Sequence, residues 1–231
     1  MIAPLAGISS MATRALLAEL SAAYTAVHGL ETRFESVGGV DAARRVEAGE
    51  PFDLVVLADD AMQRLLAAGH LRAGSLRPIA DSPMVIAAPQ DAPHPSVDTA
   101  DALREALTSA RAIGYSTGPS GQALLKLLGD WGLRETLADR LRQSPAGVPV
   151  ARMLAQGDVD LGFQQRSELQ GHDGVAVLGP MPPGLEIVTR FTAGVAARCA
   201  EPATAQQVAD DFASPRHDAL RRRLGLSSPA A

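Results

Sequence analysis

Ala48-Gly49-Glu50-Pro51-Phe52-Asp53-Leu54-Val55-Val56 closes a helix and opens a strand, and Ala155-Gln156-Gly157-Asp158-Val159-Asp160-Leu161-Gly162-Phe163 does the same 107 positions later. In each stretch a glycine stands where a helix can end in the left-handed conformation, and an aspartate leads into an apolar run. A second echo lies upstream of each. Ser9-Ser10 precedes Ala15-Leu16-Leu17, and Ser120-Gly121 precedes Ala123-Leu124-Leu125. Two lobes of related topology produce this pattern; chance likeness between two strand–helix units is the alternative.

Working outward, short β-branched runs alternate with longer stretches of helical spacing. Strands are expected at 30–37, 52–58, 84–88, 112–116, 159–164, 175–178 and 186–196. Helices are expected at 11–27, 40–48, 61–68, 99–109, 121–131, 149–156, 203–212 and 215–224. In the first helix Leu16, Leu17, Leu20, Tyr24 and Val27 recur at helical intervals, with Gly29 just past its end. Such alternation predicts an α/β fold of two lobes, each a mainly parallel sheet flanked by helices. Pro78 to Pro83 reads as a loop, Pro89 to Pro95 as a turn-rich stretch, and Gly179-Pro180-Met181-Pro182-Pro183-Gly184 as a stiff connector. These place residues 1–81 and 185–231 in one lobe and 82–184 in the other. Two chain crossings between lobes suit closure of a cleft around a ligand.

Bulk properties narrow the function. With 231 residues the chain can bury a real core, and 46% apolar with 20% charged residues is ordinary for a globular protein. A net charge of −5 disfavours nucleic acid, whose phosphates need a basic face. No apolar run approaches the roughly 20 residues that would cross a membrane. Aromatics are scarce: Trp131, Tyr24, Tyr115 and five Phe offer little for stacking bases or sugars. The first residues lack the basic and apolar regions of an export signal, so the sequence as it stands is expected in the cytoplasm, or in the periplasm if a signal has been removed. Cys199 is alone and reads as a packed small residue rather than a nucleophile. His28, His70, His94, His172 and His217 are scattered without zinc spacing, and neither a metal nor another cofactor is expected.

Four segments share one design, with small or hydroxyl residues where a strand meets a helix. They are Ser9-Ser10, Gly38-Gly39, Ser116-Thr117-Gly118-Pro119-Ser120-Gly121 and Gly147-Val148-Pro149. A helix N-terminus presents unpaired N–H groups and attracts anions; glycine lets a ligand approach the backbone, and hydroxyls add donors. Each segment alone could be a cap or a tight turn. Four of them on two related lobes point to a cleft holding a small anion.

The order Ser9-Ser10-helix, Glu31–Gly39, Val46-Glu47-Ala48-Gly49-Glu50-Pro51-Phe52-Asp53-Leu54-Val55, Ala58-Asp59-Asp60 and Pro119-Ser120-Gly121 resembles the molybdate-type solute-binding proteins. The likeness runs through nearly the whole chain; the stretch from Val46 to Asp60 and the Pro-x-Gly turn are its specific parts. It implies the type II periplasmic-binding-protein fold, with ligand held by loop hydroxyls and backbone amides of both lobes. By that resemblance Ser9 or Ser10 takes the place of the first ligand-binding serine, Ser120 that of an amide contact, and Val148 or Pro149 the fourth loop. Two positions depart from the pattern. The second binding serine falls on Gly39, and the tyrosine at the end of the second-lobe strand falls on Gln165, preceded by Gln164. Amides at Gly38 and Gly39, the carboxamides of Gln164 and Gln165, and the hydroxyls of Ser116, Thr117 and Ser120 suit a planar carboxylate with hydroxyl or carbonyl groups better than a tetrahedral oxyanion.

Two functions compete. One is a binding protein, serving an uptake system through an ABC-transporter membrane component if exported, or acting as a soluble sensor. The other is a cytoplasmic isomerase of an unsaturated or oxo acid, since aconitate isomerase resembles the same family. Isomerisation needs a proton carrier near neutral pKa and an amide-lined pocket. Tyr115, Glu35 and Asp59 are candidates by position only. Arg166 and Arg14 could clamp a carboxylate but read first as solvated residues, and Asp59-Asp60 as a helix start.

Overall fold

The computed structural model describes residues 3–145 and 147–229; the two first residues of the leader reading, Met1 and Ile2, lie outside them. In chain order the elements are β1 (Leu5–Ser10), a 3-10 turn (Met11–Thr13), α1 (Arg14–His28), β2 (Thr32–Val37), α2 (Gly39–Glu47), β3 (Leu54–Ala58), α3 (Asp59–Ala67) and β4 (Arg77–Pro89). Then follow α4 (Ala100–Ser109), β5 (Ile113–Tyr115), α5 (Pro119–Asp130), β6 (Leu141–Gln143), α6 (Val150–Ala155), β7 (Leu161–Gln165) and α7 (Arg166–Leu169). The chain closes with β8 (Val175–Pro180), β9 (Val188–Val195), α8 (Pro202–Ala213) and α9 (Asp218–Arg223). Contacts divide the chain into two units, one up to Ser82 and from Arg190 onward, the other Pro83–Thr189.

In the first unit β2, β1 and β3 pair in parallel and β9 joins β3 antiparallel. Successive residues of β3 serve opposite faces. Leu54, Val56 and Ala58 pack with α1 and α8, while Val55 and Leu57 pack with α2 and α3. A strand buried on both faces must be apolar throughout, as this one is. In the second unit β6, β5 and β7 are parallel, whereas β7–β4 and β4–β8 are antiparallel. Leu161 and Phe163 of β7 face α4 and α5; Val150, Ala151 and Leu154 of α6 pack on the other face. There Gly114 and Gly162 have no side chain because Val150 and Leu154 press onto them: a Cβ at Gly162 would lie 2.7 Å from Leu154.

Several expectations are corrected. The first strand, β1, was not expected, because Leu5-Ala6-Gly7-Ile8-Ser9-Ser10 mixes small and hydroxyl residues; Gly7 is required there since a Cβ would meet the Phe34 ring at 2.3 Å. Pro78 to Pro83 is not a loop but part of β4, whose prolines are accommodated in a 13-residue strand that crosses from one unit to the other. Gly179 and Pro180 of the expected connector belong to β8. Short β6 and the one-turn α7 also escaped the sequence, being shorter than any periodicity can register. The sheet of the second unit is mixed rather than mainly parallel.

The repeated motif folds the same way twice. Gly49 and Gly157 adopt left-handed φ values of 79° and 74°. The following amides reach back alike: Glu50 N–H donates to Arg45 O at 3.2 Å and Asp158 N–H to Met153 O at 2.9 Å. Each aspartate then ties two strands together. Asp53 N–H donates to Ala6 O while its Oδ2 accepts from Ala6 N–H, at 2.7 and 2.9 Å. Asp160 N–H donates to Ala112 O and its Oδ2 accepts from Arg111 N–H, at 2.9 and 2.7 Å.

Candidate functional site

In both units the parallel strands end at helix starts, so each unit gathers its candidate residues at one edge of its sheet. In the first unit β1 ends at Ser9 and Ser10, and parallel pairing sets Ser9 beside Ser36 of β2 and Ser10 beside Val37. Ser9 Oγ and Ser36 Oγ share a hydrogen bond of 2.8 Å. Gly38 leads into α2, and a Cβ on Gly39 would sit 3.8 Å from Ser10 Cβ, an ordinary contact. Thr13 Oγ1 donates to Ser10 O at 3.0 Å. The Ser10 hydroxyl itself is buried, with 8% of the residue exposed, and has no hydrogen-bond partner among the described residues. A buried hydroxyl left unpaired costs about 1–3 kcal/mol.

In the second unit Tyr115 ends β5, and the loop Ser116-Thr117-Gly118 enters α5 through Pro119. Gly121 is sterically required: a Cβ there would lie 1.8 Å from the Ser116 carbonyl oxygen. This close approach folds Ser120 back over Ser116, and their hydroxyls stand 2.9 Å apart. Ser120 Oγ donates to Gln165 Oε1 at 3.0 Å, and Gln165 Nε2 donates to Thr189 Oγ1 at 3.2 Å. Four buried side chains from three strand ends and one helix thus form a continuous chain.

Gln164 faces the other side of β7. Its Oε1 accepts from Val150 N–H at 2.8 Å, which fixes the carboxamide because a backbone amide can only donate. Its Nε2 then donates to Glu168 Oε1 at 2.8 Å. Burial pushes Glu168 up to about 7, against the smaller opposing effect of this hydrogen bond. The amides of the Val148-Pro149 turn are engaged internally. Val148 N–H donates to Pro145 O, Pro149 has no N–H, and Val150 N–H is held by Gln164. The turn contributes shape rather than donors.

The structure thus joins Ser9 to Ser36 and sets Ser10 beside Gly39 in one unit, and links Ser116, Ser120 and Gln165 in the other; Gln164 goes with the α6 start. Thr117 is half-buried beside Gly118. Ser36, Thr189 and Glu168 escaped sequence reading. Only the spacing from Gln164 to Glu168 across a strand–helix junction could have signalled the last. Of the other candidate proton carriers Tyr115 stands beside the second cluster, against Gly121, and the rest are placed elsewhere. Glu35 lies in an exposed ion pair with Arg45, whose guanidinium holds its carboxyl below the usual range. Asp59 accepts from Thr192 Oγ1 at 2.7 Å at the start of α3, and Asp60 pairs with Arg64. Tyr115 packs against the α4–α5 core. Exposed Arg166 donates to Gln170, and Arg14 is exposed at the start of α1. Burial raises Cys199 to about 11, with Asp53 beside it, which keeps the thiol protonated and unreactive at neutral pH.

Among the described residues no helix is long and apolar enough to cross a membrane. The model of a family described as bacterial extracellular solute-binding protein matches residues 5–226. An aconitate isomerase from Pseudomonas sp is 29% identical over 171 residues, which make up 74% of this chain and 65% of that protein. The periplasmic molybdate-binding protein of Azotobacter vinelandii superposes with a TM-score of 0.81 at 19% identity, covering 98% of this chain and all of the other. The substrate-binding protein of an ABC transporter from Agrobacterium tumefaciens gives 0.76 at 15% identity, covering 99% of this chain and 80% of that one. At such identities the superpositions establish the fold, that of the type II periplasmic binding proteins. The match from residue 5 to 226 settles the family: the chain belongs to the bacterial extracellular solute-binding proteins.

Proposed function

We propose that the chain binds a small organic anion, a di- or tricarboxylate, at the strand-end donors of the first unit. The observation that carries this reading is the Ser10 hydroxyl, buried and without a partner among the described residues, beside the bare backbone of Gly39. A ligand oxygen there would supply the missing partner. A carboxylate fits this setting better than molybdate, because glycine stands at residue 39, where the molybdate-type pattern has a hydroxyl donor. The remaining donors there are backbone amides, which a planar group can approach closely at Gly38 and Gly39.

The family description and the periplasmic relative support a working place outside the cytoplasm. There the protein would deliver its ligand to the membrane component of an ABC transporter, as the Agrobacterium relative's name suggests. Isothermal titration against succinate, malate, citrate, tricarballylate, molybdate and tungstate tests the ligand class. Saturable binding of a carboxylate, with molybdate at least tenfold weaker, is expected. Tight molybdate binding and no carboxylate binding would reject it.

A second reading, an isomerase of an unsaturated acid, is supported by the aconitate isomerase likeness and by Glu168, whose shifted carboxyl could carry a proton near neutral pH. Incubating the protein with cis- and trans-aconitate in D2O separates the readings. Deuterium in the carbon-bound positions, lost in Glu168→Gln, would make the chain an enzyme; recovery of unlabelled acid leaves it a binder.

A further inference from the structure

β2 is the outer strand of the first unit's sheet, with β1 on one side and no strand on the other among the described residues. Leu5 N–H donates to Glu31 O at 3.0 Å, which turns the odd-numbered backbone groups of this stretch inward to β1. The N–H and C=O groups of Thr32, Phe34 and Ser36 therefore point away from the sheet, as a row that another strand can pair with. Arg33 and Glu35 are exposed on this strand, opposite in charge and two positions apart, and so on one face of it. Beside β2, α1 lines an open groove with Ala18, Ser21, Ala22, Thr25 and Ala26. Glu19, the acid within that stretch, is drawn to Arg223 instead. Val27, near the end of the helix, is 68% exposed. From Ala18 to Val27 the groove side of α1 thus offers no charge that a neighbouring strand would have to desolvate.

We propose that β2 pairs antiparallel with β2 of a second copy of this chain, about a two-fold axis at Phe34, and so forms a homodimer. Two registers match outward-facing backbone groups along nearly the whole strand, one centred on Phe34 and one on Glu35. Centring on Glu35 sets two carboxylates face to face, which is destabilising. Centring on Phe34 sets Arg33 opposite the partner's Glu35 and, by symmetry, Glu35 opposite the partner's Arg33. The charge order of the strand is thus complementary to itself, which favours a second copy over an unrelated strand. Within one chain Arg33 already pairs with Glu31, and Glu35 with Arg45, in exposed bridges; the dimer extends these into one row of alternating sign.

Sedimentation velocity on the whole chain over a range of concentrations measures the association, and a concentration-dependent dimer is expected. Glu35→Arg, and separately Arg33→Glu, each set like charges opposite one another and should weaken self-association about tenfold. The chain carrying both substitutions should recover affinity near wild type, which damage to the fold would not produce. The two single variants, once mixed, should pair with each other, because each supplies the charge that the other needs. Thermal melts confirm that the variants fold. Hydrogen exchange of the wild type decides without any variant: the amides of Thr32, Phe34 and Ser36 should gain protection as concentration rises. A wild type that stays monomeric up to millimolar concentration would overturn the proposal. So would a dimer indifferent to both reversals, or one that leaves those three amides exchanging as in the monomer.

Discussion

The two units repeat one scaffold and furnish it differently. Asp53 and Asp160 stitch neighbouring strands with the same pair of hydrogen bonds, and Gly49 and Gly157 end the preceding helices alike. At the strand ends the likeness stops. The first unit leaves the Ser10 hydroxyl buried without a partner among the described residues and keeps Gly39 bare, whereas the second closes Ser116, Ser120, Gln165 and Thr189 into a satisfied chain. A duplicated framework can thus leave a hydroxyl open at one strand-end cluster and satisfy the other internally. The difference arises from a handful of buried residues at the strand-to-helix turns.

The sharpest way to break this comparison is at the glycines. Gly121→Ala drives a methyl into the Ser116 carbonyl and is expected to destabilise the protein by about 1–3 kcal/mol in urea unfolding and to abolish high-affinity binding. Gly39→Ala, with 3.8 Å of room, should unfold close to wild type. Equal costs would mean that the tight turn at α5 is not what shapes the second cluster.

The shared stitch offers the next test. Asp53→Ala and Asp160→Ala each strip an acceptor from a strand amide, and each should cost about 1–2 kcal/mol by the same measurement. Asp53, partly buried with Cys199 beside it, is expected to cost more than Asp160, whose Arg111 partner is exposed. A negligible cost at both would remove the structural basis of the repeat.

A smaller effect concerns Glu168, which has no counterpart in the first unit's cluster. Its folded-state carboxyl is raised to about 7 from an ordinary 4.5, so the folded chain holds the proton more firmly than the unfolded one. That contribution to stability is complete below about pH 4.5 and is lost as pH rises through about 7. Thermal melts between pH 5 and pH 8 should show the loss, on the order of 1 kcal/mol for this half-buried group, and Glu168→Gln should flatten it. A wild-type profile that the substitution leaves unchanged would exclude Glu168 as its source.

The framework was legible in the sequence because it depends on local signals: left-handed glycines, aspartates before apolar runs and helical spacing of leucines. Elements that failed to register did so for physical reasons. β1 carries a glycine, Gly7, imposed by the Phe34 ring, and β4 carries prolines that ordinarily mark loops. Of the candidate site, Ser9, Ser10, Gly38, Gly39, Ser116, Ser120 and Gln165 could be chosen as residue types suited to strand-to-helix turns. Their hydrogen-bond state could not. That Ser120 is tied to Gln165, that Ser10 is left over, and that the amides near Val148 are engaged follow from tertiary distances between segments up to 45 residues apart.

The proposed binding of an organic carboxylate, rather than a metal oxyanion, at the Ser10 hydroxyl is open to direct measurement. Titrating citrate, malate and molybdate into the wild type and into Ser10→Ala tests it most directly. Saturable carboxylate binding that weakens about five- to tenfold in Ser10→Ala, with molybdate bound poorly by both, is the expected result. Tight molybdate binding, or carboxylate affinity indifferent to Ser10, would contradict it.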